Sequence, residues 1–290
     1  MNKRTILGIL GACAFVCASA QQATIKVAYE AYSTPRSGNF TKQVKRDMVL
    51  LAGPQGSKYY STMSEYCDSL TSTPEGKKQL NDIQMAAWMT RNPDGSISIN
   101  QTKGNAPHKT VSLYVYKDAA TSTVTVYDKW ADEPGTYTEP MGQQWELVED
   151  STKTVLGYEC MLATCNYHGR QWSAWFSPEI PISDGPWKLS GLPGLILEAY
   201  VPNSNFRFVA TGIENTNAVI TPIYQANTYA KVDRKKALRE QQDYLNHLQE
   251  RLSARSQGKV EVYITDEKGN RITMPKYEPK FAIENDYEEK

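Results

Sequence analysis

Two turns set sixteen residues apart from the rest of the chain: Gly185-Pro186-Trp187-Lys188-Leu189-Ser190-Gly191-Leu192-Pro193-Gly194-Leu195-Ile196-Leu197-Glu198-Ala199-Tyr200. Pro193 fixes its own φ and Gly194 tolerates positive φ, so Pro-Gly at the centre of Leu192–Leu195 suits a type II turn. Leu195 to Tyr200 has few polar interruptions and reads as a strand buried on both faces. Arg170 to Phe176 reads as another strand, with Trp172, Ala174 and Phe176 on one face and Ser173 and Trp175 on the other. A rigid corner between two buried strands is a β-rich feature, and the remainder of the chain must supply the sheet around it.

Alternation does so. Ile25, Val27, Tyr29 and Ala31 mark a first strand, and segments 43–51 and 58–62 flank the turn Gly53 to Ser57 as a hairpin. Residues 63–90 turn helical, with Thr73 as a cap, Pro74 at the first helical position, and Leu80, Ile83 and Ala87 as the stripe. After the turn Asn92-Pro93-Asp94-Gly95, strands are expected near 96–101, 110–117, 123–130, 143–149, 153–167, 170–176, 195–201 and 206–213. Short connections between them make an antiparallel meander. Residues 232–256 read as an amphipathic helix with Leu238, Leu245, Leu248 and Leu252 as its thin apolar stripe. Segments 260–264 and 271–274 read as a terminal hairpin, and the last dozen residues as a mobile polar tail. The fold class is therefore α+β: a mostly antiparallel, strongly curved sheet with a helix packed on or in it and a C-terminal helical extension. The expected division is 1–20, 21–216 and 217–290.

Met1 to Ala20 has the form of a signal peptide: Lys3 and Arg4, an apolar run from Ile6 to Cys17, and Ala18-Ser19-Ala20. Leu10-Gly11-Ala12-Cys13 offers an alternative lipoprotein signal with Cys13 as the lipidated residue. The expected compartment is outside the cytoplasm: the periplasm, the outer membrane or the extracellular space. Removal of Lys3 and Arg4 leaves 32 − 2 = 30 basic against 32 acidic residues. No basic tract occurs, which argues against a nucleic-acid partner. Cys67, Cys160 and Cys165 would then meet an oxidising compartment, where Cys67–Cys160 is the preferred disulfide. Cys160 and Cys165 point to opposite faces of a continuous strand. The three histidines show no zinc-ligand spacing with them.

The motif block resembles a known family. Gly157-Tyr158-Glu159-Cys160, Gly169-Arg170, Trp172, Trp175, Glu179-Ile180-Pro181-Ile182, Asp184 to Trp187 and Gly191-Leu192-Pro193-Gly194-Leu195-Ile196 are similar in order and spacing to the GLPGLI family of secreted Bacteroidota proteins. The block spans 157–200, and the family has no established activity. The expected curved sheet also resembles, at the level of fold alone, the half-barrels of exported lipoprotein carriers, where sheet and helical lid enclose an apolar cavity.

Catalysis finds little support in these residues. There is no Gly-x-Ser-x-Gly elbow around Ser177 or Ser190, and no phosphate-binding glycine loop. Cys165 with His168 is a candidate thiolate pair. Glu179, Asp184 and Glu198 are candidate glycosidase carboxylates, although Glu179 and Asp184 are more simply turn acceptors. The expected role is therefore non-catalytic, with no cofactor or metal: binding or carriage of an apolar or amphipathic ligand, lipid included. Candidate ligand contacts are Arg170, Trp172, Trp175, Trp187, Leu192 and Leu195, on a frame of Gly185, Pro186, Gly191, Pro193 and Gly194. Arg170 is also placed to fork onto Asp184 or Glu179. The alternatives are an accessory that docks an outer-membrane protein, and a hydrolase.

Overall fold

A computed structural model of the chain describes residues 21–35, 42–99, 106–255, 264–265, 270–273 and 275–287. The signal-peptide reading, Cys13, and most of the terminal hairpin lie outside them. The elements are β1 (Ile25–Ser33), β2 (Val44–Gly53), β3 (Gly56–Tyr60), α1 (Thr62–Thr71), α2 (Pro74–Trp88), β4 (Met89–Arg91) and β5 (Ile97–Ile99). There follow β6 (Tyr114–Asp118), β7 (Thr123–Trp130), β8 (Glu133–Pro140), β9 (Glu146–Val155), β10 (Tyr158–Tyr167), β11 (Arg170–Ser177), β12 (Leu195–Tyr200) and β13 (Arg207–Asn215). The last are β14 (Ala230–Lys231), α3 (Arg234–Asn246), α4 (Leu248–Arg255), β15 (Ile264–Thr265) and β16 (Arg271–Ile272).

Twelve strands form one sheet in the order β14-β8-β7-β6-β3-β2-β1-β13-β12-β11-β10-β9, antiparallel except for β14 against β8. Its two faces are read off the alternation of β2. Met48, Leu50 and Ala52 enter the main core, while Val49 and Leu51 join a smaller cluster with Tyr60, Tyr114, Ile220 and Ile223. In β12 every residue from Leu195 to Ala199 is buried, as expected of a strand covered on both faces.

The sheet is curved and open. β8 and β10 stand nine places apart in its order, a span of roughly 40 Å if the sheet were flat. Yet the Tyr167 hydroxyl on β10 donates to Glu139 Oε1 on β8 at 3.2 Å. Side chains, not backbone ladders, bridge the two margins.

Several expectations are corrected. The single strand expected at 153–167 is the hairpin β9–β10, because Leu156 (φ 52°) and Gly157 (φ 87°) both take the left-handed conformations of a type I′ turn. The strand expected at 143–149 is the start of β9, and β8 is an additional strand that its Pro134-Gly135 concealed. The helical stretch 63–90 is two helices, capped by Ser61 and Thr73. The amphipathic stretch 232–256 is also two, parted at His247. The polar tail is docked, with Ala282, Glu284 and Tyr287 buried. Cys67, Cys160 and Cys165 are free, buried thiols, so the expected Cys67–Cys160 disulfide is absent.

The Pro193 turn also differs from the type II expectation. The Gly194 N–H donates to the Leu192 carbonyl at 2.8 Å, a three-residue γ-turn about Pro193. Gly194 is needed for a different reason: a Cβ there would lie 2.2 Å from the Ser177 carbonyl oxygen. Gly194→Ala is expected to cost about 2–3 kcal/mol, since backbone must move on both sides. Guanidinium titration would register it as a lower midpoint at unchanged slope.

Candidate ligand-binding site

The open side of the curl is filled by charge. Lys188, from the motif turn, is fully buried and places Nζ 2.6 Å from Glu139 Oε1 and 2.8 Å from Glu284 Oε1, with the Tyr137 hydroxyl at 3.2 Å. The rings of Tyr137, Tyr167 and Trp187 surround the same ammonium at 4.9–5.6 Å. His168 turns Nε2 to Glu139 at 3.0 Å and Nδ1 to Asp286 at 3.3 Å. Arg234, at the start of α3, donates to Glu284 at 2.6 Å and to both oxygens of Asp286 at 2.6 and 2.7 Å.

Burial alone would raise the Glu139 carboxyl, but the His168 hydrogen bond and the Lys188 charge outweigh it and hold it at about 2. Burial likewise opposes ionisation of Asp286, and Arg234 and His168 overcome it, lowering its pKa. His168, Glu284 and Asp286 bring ligand atoms within 4.8 Å of one another, as a metal site would. Their oxygens are, however, already engaged by Lys188 and Arg234. The arrangement is a clasp joining β8, the β10–β11 turn, the motif turn, α3 and the C-terminal segment.

Beside the clasp lies a cavity of about 500 Å³ between the concave face of the sheet and a roof made by α3 and residues 277–284. Met48, Tyr59, Val126, Tyr137 and Phe208 line it from the sheet; Leu238, Leu245, Tyr277, Phe281 and Ile283 line it from the roof. The Leu238 and Leu245 stripe that marks α3 as amphipathic thus faces a hollow.

Arg170 fastens the roof. Its guanidinium does not fork onto Asp184 or Glu179; it donates to the carbonyls of Pro279 (3.0 Å), Lys280 (2.9 Å) and Ala282, and lies over the ring of Phe206. Asp184 is instead 2.5 Å from Lys117, whose Nζ also donates to the carbonyls of Gly185 and Leu189 and so pins the Gly-Pro turn. Glu179 accepts the Glu159 N–H at 2.8 Å, and Glu198 pairs with Lys153 and Arg207. These three carboxylates are each a structural anchor.

Of the other sequence candidates, Trp187 lines the cavity. Trp172 stands behind it, tilted against Trp187 at 5.5 Å and stacked on Phe208 at 5.9 Å. Trp175 faces the opposite side of the sheet, beneath Lys153 at 4.6 Å. Leu192 and Leu195 are buried core residues, and Gly185 packs against Ile196, where a Cβ would meet its side chain at 2.8 Å. The Cys165–His168 thiolate pair is not formed: burial pushes the Cys165 thiol up to about 12, and both His168 nitrogens face carboxylates. The sheet and roof residues of the cavity went unrecognised as a site because each reads locally as ordinary core.

Residues 167–198 match the family described as "Protein of unknown function (Porph_ging)", a segment that contains the GLPGLI motif. No curated protein sequence matches the chain. Two solved structures of PNGF-II, in C2 and P21 space groups, superpose with TM-scores of 0.47 and 0.45 at 11% identity. Each alignment covers 77% of this chain, and 33% and 34% of those chains respectively, so this chain spans about a third of their length. Among the described residues no helix is long and apolar enough to cross a membrane.

Proposed function

We propose that this is an exported, non-catalytic protein of the cell envelope that binds or carries an apolar or amphipathic ligand. The observation that supports the reading is the cavity: about 500 Å³, walled by aromatic and aliphatic side chains from both sheet and roof. That is within the usual range of small-molecule sites, which are mostly apolar with a few placed polar groups. The roof is a helix and a segment anchored at Arg170 and at the clasp, a construction suited to lifting without dismantling the sheet. The half-barrel carriers of lipoproteins, in which a curved sheet bears a helical lid, serve as the fold-level analogy for this reading.

Native mass spectrometry of the mature protein purified from a bacterial periplasm, with lipid extraction alongside, tests this. The expected result is a discrete added mass, lost in Val126→Trp, which fills the cavity from the sheet, and in Leu238→Arg, which places a charge in its roof. A bare mass in the wild type and no extractable lipid would overturn carriage. Two variants at separate walls guard against one of them failing to fold.

A further inference from the structure

Arg46 lies on the cavity side of β2. Val44, Arg46 and Met48 alternate onto the cavity, with Arg46 opposite Ala31 of β1 and only partly exposed. A guanidinium at the margin of an apolar cavity is free to fork onto a carboxylate or a phosphate. Arg46 donates to the backbone carbonyl of neighbouring Lys45 at 2.9 Å, and no Asp or Glu among the described residues lies within ion-pair distance of it. Of the other nearby cations, Lys45, its neighbour on β2, pairs with Glu30 at 2.7 Å, and Lys129, which lines the same cavity, lies 4.0 Å from Asp132. The acids that line the same cavity are also supplied. Asp128 accepts the Ser112 hydroxyl at 2.5 Å and the Lys129 N–H at 2.8 Å, and Glu284 is held by Lys188 and Arg234.

Size narrows the ligand. The cavity, about 500 Å³ and open on one side, has room for one long alkyl chain. Resting on the ligand-cavity reading above, we propose that the ligand is a single-chain amphiphile with an anionic head group. Its oxyanion pairs with Arg46, and its chain lies inward along Met48, Val126 and Phe208. A guanidinium fork suits either a carboxylate or a phosphate end, and both supply the same charge-assisted hydrogen bonds.

Isothermal titration of the delipidated mature protein with hexadecanoate, hexadecyl phosphate and hexadecanol tests the assignment. At least one anionic amphiphile is expected to bind about ten- to a hundredfold more tightly than the alcohol, the range a charged hydrogen bond supplies. Whichever anion is tighter names the oxyanion. Arg46→Gln is expected to abolish that preference while leaving hexadecanol affinity and thermal midpoint unchanged, and Arg46→Lys to retain part of it. Equal binding of anion and alcohol, or an Arg46→Gln protein that keeps the preference, would overturn the head-group assignment and leave the cavity reading standing. If none of the three probes binds the wild type, both readings fail, the cavity first.

Discussion

Lys188→Met is expected to remove about 3–5 kcal/mol of stability, a large part of what a domain usually possesses. The ammonium is fully buried and is shared by Glu139 and Glu284 at 2.6 and 2.8 Å. Methionine keeps the apolar stem, so the packing against Tyr137, Tyr167 and Trp187 largely survives and the loss isolates the charge. What remains is two buried carboxylates with one cation fewer, and an unpaired buried charge costs more than the intact pair gains. The effect extends beyond one contact, because Lys188 ties the motif turn to β8 and to the C-terminal segment at once. Denaturant titration of wild type and variant measures it. Adding Glu284→Gln to Lys188→Met is expected to recover 1–2 kcal/mol, since it lowers the excess negative charge left in the clasp while Arg234 keeps Asp286. A Lys188→Met protein within about 1 kcal/mol of wild type would show that the clasp is idle.

Local features were legible where the physics is local. The alternation of β1 and β7, the mostly apolar β12, and the Thr73-Pro74 start of α2 each depend on residues a few positions apart, and each is present as read. The closure of the sheet depends on pairs far apart in sequence. Lys188 meets Glu139 49 residues away, and Arg234 meets Asp286 52 away. A lysine in a turn between Trp187 and Leu189 carries no mark of burial. Arg170 shows the same limit. Asp184 and Glu179 were the nearby acids, whereas its acceptors are backbone carbonyls 109–112 positions on, whose availability no side-chain pattern records. The tail read as mobile because it is polar, yet its polarity is what docks it. Glu284 and Asp286 enter the clasp, Asn285 N–H donates to the His168 carbonyl at 3.0 Å, and Tyr287 is buried with its hydroxyl on Gln242. The family block was legible as a rigid corner; that the corner stoppers a curled sheet was not.

Acid is expected to open the clasp. Glu139 ionises at about 2 in the folded protein against 4.5 in an unfolded chain, and Asp286 is lowered in the same sense from 3.8. A carboxyl with a depressed folded pKa stabilises the fold above its unfolded value and loses that contribution as pH falls toward the folded one. The window therefore runs from about pH 5 down to about pH 2. Within it Glu139 alone withdraws on the order of 3 kcal/mol, the difference of roughly 2.5 pKa units converted at 1.36 kcal/mol each. Asp286 adds to it with the same sign. Above pH 5 neither group contributes a slope. Urea midpoints measured between pH 7 and 2.5 should thus be flat at first and then fall steeply. Glu139→Gln should be less stable than wild type at pH 7, because Lys188 and His168 lose their shared acceptor, and its curve should fall less on acidification. A Glu139→Gln protein whose midpoint drops as steeply as the wild type would place the acid sensitivity elsewhere. The same titration bears on the roof. Protonating Glu139 and Asp286 loosens Arg234 at the head of α3 and the segment carrying Tyr277 to Ile283. A bound amphiphile should therefore leave the cavity within this window, before the β1–β2 and β1–β13 ladders, which hold no clasp residue, give way.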